Sequence, residues 1–240
     1  MTIERSAAGT RRLGIVTDLY ALDEQSDRTR RAWPIPGANE LFRSLYTGFD
    51  TSPGVSMAIC SAVQGEGKTT MCLGLAIAIA QDRPDRRVVV VETDLWRAVL
   101  ARDFGIPPAP GLVDCLLDRH SVESALRPTS LDNLSLLVAG SDVASPQRLL
   151  RSTRMPEVLD VLRRTHDVVI VDTPATLAHS EASLIARMVG EVVFVVRTGV
   201  TPSRELGTAL ARVQGANLRG IVVNDARSAV PNAVRRLVRL

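Results

Sequence analysis

One nine-residue segment limits the possible folds of this chain more than any other, namely Ala62-Val63-Gln64-Gly65-Glu66-Gly67-Lys68-Thr69-Thr70. An apolar run precedes it and an Ala- and Leu-rich stretch follows it, which predicts a strand, a glycine loop and a helix. Gly65 and Gly67 let successive backbone N–H groups face one anion without a Cβ in the way. The helix directs the positive end of its dipole at the same place. The segment fits the P-loop pattern, with Ala62 where Gly is usual.

The composition singles out Lys68. Lysine and arginine together number 29, and reading the sequence finds one lysine, so the other 28 are arginines. A genome biased towards arginine explains the 28, but it does not explain why the lone lysine lies in the glycine loop. A phosphate cradle needs a slim point charge on a flexible stem, whereas a guanidinium is wider and planar. We therefore predict that Lys68 bridges the β- and γ-phosphates of a nucleotide and that Thr69 ligates Mg²⁺.

Apolar runs alternate with helical segments along most of the chain. Strands are predicted at residues 57–61, 87–91, 134–138, 168–171, 192–197 and 220–224, and helices at 39–49, 68–81, 97–103, 112–117, 156–165, 181–188 and 203–214. Strands that are apolar throughout and separated by helices indicate a parallel sheet covered on both faces. The predicted fold class is therefore α/β, with a single P-loop NTPase domain at residues 38–240. Residues 1–37 predict a flexible or surface-wrapped arm.

The remaining composition excludes several classes of protein. The sequence contains no run of about 18 apolar residues, so we expect neither a membrane span nor a signal peptide. The three cysteines, Cys60, Cys72 and Cys115, lack metal-ligand spacing, which favours reduced thiols in a cytosolic protein. A formal net charge of +3 is too small to indicate a nucleic-acid partner.

Acidic residues follow two predicted buried strands. Glu92 and Asp94 come just after Val88–Val91, and Asp172 follows Val168–Val171. Ligands bind at the carboxyl ends of the strands in such sheets. We expect Asp94 and Asp172 to reach Mg²⁺, and Glu92 or Asp94 to orient or deprotonate the attacking group. The alternatives are a solvated acidic turn for the first pair and a helix-capping role for Asp172.

These segments together resemble the cytoplasmic kinase domain of the bacterial tyrosine kinases that control capsule and exopolysaccharide assembly, a P-loop branch shared with septum-site and partitioning ATPases. The resemblance runs from about Glu40 to Asp225 and rests on Glu40-Leu41-Phe42-Arg43, the loop Gly65 to Thr70, Asp94-Leu95 with Arg97, Gly111-Leu112-Val113-Asp114, Asn133-Leu134 with Ala139-Gly140, Asp172-Thr173-Pro174, and Val195-Val196-Arg197 with Gly199.

The resemblance implies a nucleotide site, a reaction and a partner. The cofactors are ATP and Mg²⁺, and the reaction is ATP hydrolysis or phosphoryl transfer to a protein tyrosine. The implied partner is a membrane-anchored polysaccharide co-polymerase or activator, which this cytoplasmic protein would bind at the inner face of the membrane. The nucleotide-binding residues expected on this basis are Gly65, Glu66, Gly67, Lys68, Thr69, Thr70, Arg197 and Asn224.

Glu40 and Arg43 resemble the first two positions of the family's self-association motif, a Glu and two Arg on one helix face. The motif implies a homo-oligomer, although its third position is Tyr46 here. Partitioning ATPases usually carry an extra loop lysine, where this chain has Val63 and Gln64. Glu92 replaces the Asp that acts as the base in the family.

The tyrosines depart furthest from that family, whose kinases end in a cluster of them. This chain has Tyr20 and Tyr46 only, and none in its tail Ala226–Leu240. That tail fits either a basic amphipathic helix or a last helix packed on the sheet. Trp96 stands where the family has Arg, and it fits either a partner contact or packing.

Three functions stay open: an ATP-hydrolysing or tyrosine-phosphorylating enzyme, a nucleotide switch without kinase activity, and a partitioning-type ATPase.

Overall fold

The computed structural model describes residues 38–48 and 52–225. Within these ranges the strands are β1 Val55–Ser61, β2 Val88–Glu92, β3 Arg127–Pro128, β4 Leu134–Leu137, β5 Val168–Asp172, β6 Glu191–Arg197 and β7 Leu218–Asn224. The helices are α1 Ala38–Tyr46, α2 Lys68–Asp82, α3 Leu100–Phe104, α4 Leu112–Leu116, α5 Val122–Ala125, α6 Pro146–Leu150, α7 Arg154–Thr165, α8 Glu181–Met188 and α9 Ser203–Arg212.

The strands form one sheet in the order β3-β4-β2-β5-β1-β6-β7. All neighbours pair in parallel except β3 with β4, which are antiparallel. The three central strands, β2, β5 and β1, are buried along almost their whole length. Their continuous apolar runs are what a sheet covered on both faces requires. The predicted fold class is therefore confirmed.

Helices cover both faces of the sheet because successive strand residues point to opposite sides. Met57 and Ile59 of β1 pack with α1 and α2 in one apolar cluster. Ala58 and Cys60 pack with α4, α7, α8 and α9 in the other. Valine, leucine, isoleucine and alanine make up most of both cores, in keeping with an aromatic content of 3%. All three cysteines are buried and free.

Several element boundaries differ from the sequence prediction. The helix expected at 97–103 begins at Leu100, and the helix expected at 39–49 ends at Tyr46. Three short elements, α5, β3 and α6, which have 4, 2 and 5 residues, were not predicted, because so few residues cannot show a period. The predicted N-terminal arm, Phe49 and the basic tail lie outside the described residues. Among the helices of residues 38–48 and 52–225, none is long and apolar enough to cross a bilayer.

The contact between α1 and α2 depends on one glycine. A Cβ placed on Gly74 in α2 would lie 2.1 Å from the ring of Phe42 in α1, and Phe42 is almost fully buried. No side chain larger than hydrogen fits at that distance unless the ring moves. The glycine therefore lets the phenyl ring lie directly on the backbone of α2.

We predict that Gly74→Ala destabilises the protein by about 1–3 kcal/mol, although alanine normally favours a helix, because the added methyl overpacks the site. The same change in a Phe42→Leu background should cost less. Gly207→Ala in α9 is the matched control, since nothing lies within 4 Å of its added Cβ. Thermal unfolding of Gly74→Ala, Phe42→Leu, the double variant and Gly207→Ala measures these differences in stability. A Gly74→Ala protein as stable as the Gly207→Ala control would contradict the prediction.

Candidate functional site

The loop between β1 and α2 has the backbone conformation that its glycines predict. Gly65 and Gly67 have φ angles of +80° and +98°, a region that side chains with a Cβ rarely adopt. A Cβ on Gly67 would also lie 2.5 Å from the side-chain nitrogen of Asn224. Gly67 immediately precedes α2, whose first residue is Lys68. The loop is therefore open to an anion and closes against β7.

Lys68 is buried and directs its ammonium at the end of β1, where it donates a hydrogen bond of 2.9 Å to Ser61 Oγ. That acceptor is neutral. An ammonium carries three donors, so this bond leaves donors for a phosphate. Burial makes an anionic partner valuable, because a desolvated charge is costly when it is not compensated.

Thr69 and Asp172 meet at the start of α2. The Thr69 hydroxyl donates to Asp172 Oδ2 at 2.6 Å, across 103 positions of sequence. The other carboxylate oxygen, Asp172 Oδ1, is buried and has no hydrogen-bond partner among the described residues. An orphaned carboxylate oxygen beside a threonine hydroxyl is a donor set that suits a hard cation. The residues present therefore fit Mg²⁺.

Asp172 titrates far from its usual range. Its burial raises the pKa from 3.8 to about 7, while the Lys68 charge and the Thr69 hydrogen bond oppose the rise. The neighbouring carboxylates of Glu92 and Asp94 add to it. A cation bound at this carboxylate would favour the ionised form.

Asp94 lies on the same cavity as the phosphate loop. This cavity has a volume of about 420 Å³, and its lining residues come from the loop, from the start of α2 and from the segment between β2 and α3, namely Gln64, Gly65, Gly67, Lys68, Thr69, Thr70, Asp94, Arg97, Val99, Arg102 and Asp103. Arg97 contacts the Gln64 side chain. The structure thus brings Asp94 together with Lys68, Thr69 and Thr70, as the sequence predicts.

Glu66 ties the phosphate loop to the strands beyond it. Its fully buried carboxylate accepts hydrogen bonds from the backbone N–H groups of Val63 at 2.7 Å and Arg197 at 3.2 Å, and it also contacts the Thr201 hydroxyl. The Asn224 side chain donates to the carbonyl of Glu66 at 3.0 Å. Glu66, Arg197 and Asn224 are therefore neighbours of the loop, with contacts that support its shape.

Glu92 has surroundings unlike those of Asp94. It is fully buried, and its carboxylate accepts three backbone hydrogen bonds, from Val99, Leu100 and Ala139. Burial raises its pKa, and the three N–H donors oppose the rise. These contacts favour a structural role over the catalytic role expected from its position at the end of β2.

Trp96 packs within the protein. Its ring stacks on His179, with centroids 3.9 Å apart and an angle of 21° between the planes. Trp96 follows Asp94 after β2, and His179 lies in the segment between Asp172 and α8. The stack joins the two segments that carry the acids, and it gives Trp96 a packing role within the protein.

A second cleft, of about 560 Å³, lies between α4, α5 and α7. Its charges include Arg154, which pairs with Asp118 and Glu157. Because these charges pair with one another and no glycine loop is present, we do not assign a nucleotide to it.

The two residues of the self-association motif lie on α1. Arg43 forms an ion pair with Asp82 of α2 at 2.7 Å, and the Tyr46 hydroxyl donates to the same carboxylate at 2.6 Å. The side chains of Arg43 and Tyr46 thus both bind Asp82 within the chain. Glu40 lies on the same helix.

The comparisons with known proteins come from sequence and from structure. The family described as "AAA domain" matches residues 56–197. Tyrosine-protein kinase ptk of Acinetobacter johnsonii is 32% identical over 161 residues, which are 66% of this chain and 22% of that protein. This chain thus spans about a fifth of that relative.

Two solved structures share the fold. The kinase domain of the Escherichia coli tyrosine kinase ETK has a TM-score of 0.79 and 25% identity, covering 93% of this chain and 95% of that one. The septum site-determining protein MinD from Pyrococcus horikoshii, complexed with Mg-ADP, has a TM-score of 0.59 and 25% identity, covering 77% and 76%.

We predict that the stability of the protein without nucleotide and metal falls as the pH rises towards 7, because the folded state holds the Asp172 proton more tightly than the unfolded state does. This contribution is fully present below pH 3.8 and is lost as the pH rises through about 7. Between about pH 5 and pH 8 wild type should lose roughly 2–3 kcal/mol more unfolding free energy than Asp172→Asn, which stays neutral. Denaturant unfolding measures this, with Asp142→Asn, an exposed site, as control. Parallel pH curves for wild type and Asp172→Asn would contradict the assignment.

Proposed function

Because this chain belongs to the AAA-domain family of P-loop ATPases that includes the bacterial tyrosine kinases, we propose that it binds ATP with Mg²⁺ and breaks the bond to the γ-phosphate. The acceptor is water or a protein tyrosine. The observation that carries the proposal is the meeting of Lys68, Thr69 and Asp172 beside a loop with two glycines of positive φ.

Each residue of the site has a role in this reaction. The loop N–H groups and Lys68 bind the β- and γ-phosphates, and Lys68 stabilises charge that develops in the transition state. Thr69 and Asp172 would hold Mg²⁺, which would neutralise phosphate charge when bound. Glu66, Arg197 and Asn224 support the loop and the nucleotide beside it.

In the transfer, an oxygen of water or of a tyrosine hydroxyl forms a bond to the γ-phosphorus. The bond between that phosphorus and the β,γ-bridging oxygen breaks, and ADP leaves with the electron pair. Asp94 lines the cavity and accepts the proton of the attacking group. Positioning and charge neutralisation supply most of the acceleration, as is general for phosphoryl transfer.

The tyrosines favour hydrolysis over self-phosphorylation in the isolated chain. The sequence contains only Tyr20 and Tyr46. The Tyr46 hydroxyl on α1 donates a hydrogen bond to Asp82 of α2, so it reaches no active site unless α1 moves. Phosphoryl transfer to a tyrosine of a partner stays compatible with the site. A nucleotide switch that hydrolyses ATP without a kinase role is the second candidate, and the scarcity of tyrosines favours it.

We further propose a place of action. The relatives that the chain matches are tyrosine-protein kinases, and the family controls capsule and exopolysaccharide assembly. By that resemblance the partner is a membrane-anchored co-polymerase or activator, and the chain acts in the cytoplasm at the inner face of the membrane. ATP-dependent binding to vesicles that carry such a partner's cytoplasmic segment, compared with bare vesicles, tests this proposal.

We predict that γ-labelled ATP and Mg²⁺ yield free phosphate in excess over labelled protein, with any protein label on Tyr20. Tyr20→Phe should remove that label and Tyr46→Phe should keep it.

Lys68→Met should weaken ATP binding roughly 100-fold or more, because it removes the buried charge that faces the phosphates. Arg148→Met, an exposed charge on α6, is the control.

Two outcomes would contradict these expectations. If Lys68→Met binds ATP within a few-fold of wild type, the nucleotide site is misassigned. Strong phosphotyrosine at Tyr46 would show that α1 leaves its place on α2. Transfer to a partner's tyrosine would decide between the kinase and the switch and would leave the site assignment unchanged.

We propose a weak or ATP-dependent homo-oligomer that forms through Glu40 and Arg43 of α1, and its stability should depend on Asp82. Asp82 holds Arg43 within the chain, so Asp82→Asn should free the guanidinium and strengthen association. Arg43→Glu should weaken it, whereas Arg204→Glu on the exposed face of α9 should not. Light scattering at high protein concentration with ATP measures the mass. A monomer in every case would contradict the proposal.

A further inference from the structure

Glu92 is a buried carboxylate with three backbone partners. Its Oε1 accepts from the N–H groups of Val99 at 2.6 Å and Leu100 at 2.9 Å, which lie at the start of α3. Its Oε2 accepts from the N–H of Ala139 at 3.0 Å, just after β4. The residue has no exposed surface. One side chain thus joins three separate parts of the chain: β2, the start of α3 and the end of β4.

We propose that Glu92 is a positioning residue, which holds the segment from Thr93 to Val99 against the end of β4, and that Asp94 is the acid that meets the attacking group. The segment carries Asp94, Trp96 and Arg97, so its placement fixes the groups on one wall of the phosphate cavity. This inference deepens the proposed function and rests on it for the role of Asp94.

The hydrogen bonds argue against a base at Glu92. A carboxylate offers about four acceptor positions, and three of those of Glu92 are filled by N–H donors. A general base must lie within hydrogen-bond reach of the proton it removes. Asp94 lines the phosphate cavity, and Glu92 does not. Buried carboxylates also need such partners for the protein to fold at all, which explains the three bonds without any catalytic demand.

The length of the side chain matters more than its charge if Glu92 holds the segment. Aspartate is shorter by one methylene, about 1 Å of reach, so it cannot serve both the start of α3 and Ala139. Glutamine keeps the length and one carboxyl-like oxygen, so it retains the bonds on one side and loses those on the other. The order expected for a base is the reverse, because aspartate keeps the ionisable group and glutamine removes it.

The experiment compares Glu92→Asp, Glu92→Gln and the control Glu205→Gln, which is exposed on α9. Melting temperatures are measured without nucleotide or metal, and kcat and KM for Mg·ATP hydrolysis are measured across pH. Each variant is also made with Trp33→Phe, so that Trp96 is the one remaining tryptophan and its emission reports on the segment.

We expect Glu92→Asp to melt roughly 3–8 °C lower than wild type and Glu92→Gln to fall between them, because buried N–H groups lose their acceptor. Glu92→Asp should also shift the Trp96 emission to longer wavelength. Glu92→Gln should keep kcat within about tenfold of wild type with an unchanged acid limb of the pH profile, whereas loss of a general base typically costs about 10²–10⁴-fold.

The order of the two variants decides the proposal. If Glu92→Gln hydrolyses ATP more slowly than Glu92→Asp, or if both variants melt at the wild-type temperature, Glu92 does not act by positioning. Failure of both variants to fold would also count against the proposal, because Glu92→Gln keeps the side-chain length and is expected to fold and to hydrolyse ATP. If wild type itself lacks hydrolysis, the proposed function fails, and the melting and emission data still test the contacts of Glu92.

Discussion

The parallel pairing of β5 between β1 and β2 determines where the charged groups of the site lie. Its register sets Asp172 beside Ile59 of β1 and beside Glu92 of β2. All three strands end at the same edge of the sheet, and the phosphate loop leaves β1 at that edge. A register shift of one residue would turn the Asp172 side chain to the opposite face. The geometry of the site therefore depends on the same apolar strands that make up the core.

Glu66, Lys68, Glu92 and Asp172 are buried charged residues at this edge, and their hydrogen bonds divide them into two kinds. Glu66 and Glu92 accept bonds mainly from backbone N–H groups, so their charges are compensated by the fold. Lys68 donates to a neutral hydroxyl, and Asp172 has one oxygen without a partner among the described residues. Burial makes incomplete compensation costly. Phosphate and Mg²⁺ would compensate these two charges, which explains why a stable fold tolerates them.

The sequence was sufficient to predict the fold and to predict which residues lie together at the phosphate loop. The glycine loop, Lys68, Thr69 and the acid at the end of β5 all follow from pattern, because the carboxyl ends of parallel strands meet at one edge. Ser61 was missed, since a serine at the end of a strand gives no signal until the position of Lys68 is known.

Glu92 shows the limit of such inference. Its partners are backbone N–H groups of residues 99, 100 and 139, which carry no mark in the sequence. Its acidity and its position at the end of a strand therefore led to the prediction of a catalytic role. The stack of Trp96 on His179 and the hydrogen bond from Tyr46 to Asp82 could not be predicted from the sequence either. Each joins residues that are distant in sequence, and only the packing of helices and loops brings them together.

We infer that the phosphate loop and the acids at the strand ends form one Mg·ATP site. The most direct test is a crystal structure with Mg²⁺ and a non-hydrolysable ATP analogue. We predict that the loop N–H groups and Lys68 contact the phosphate oxygens. The Thr69 hydroxyl should bind the metal, and the Asp172 carboxylate should lie next to the metal. A nucleotide bound elsewhere would contradict a Mg·ATP site at the phosphate loop. Phosphates at the loop with the metal away from both Thr69 and Asp172 would contradict it as well.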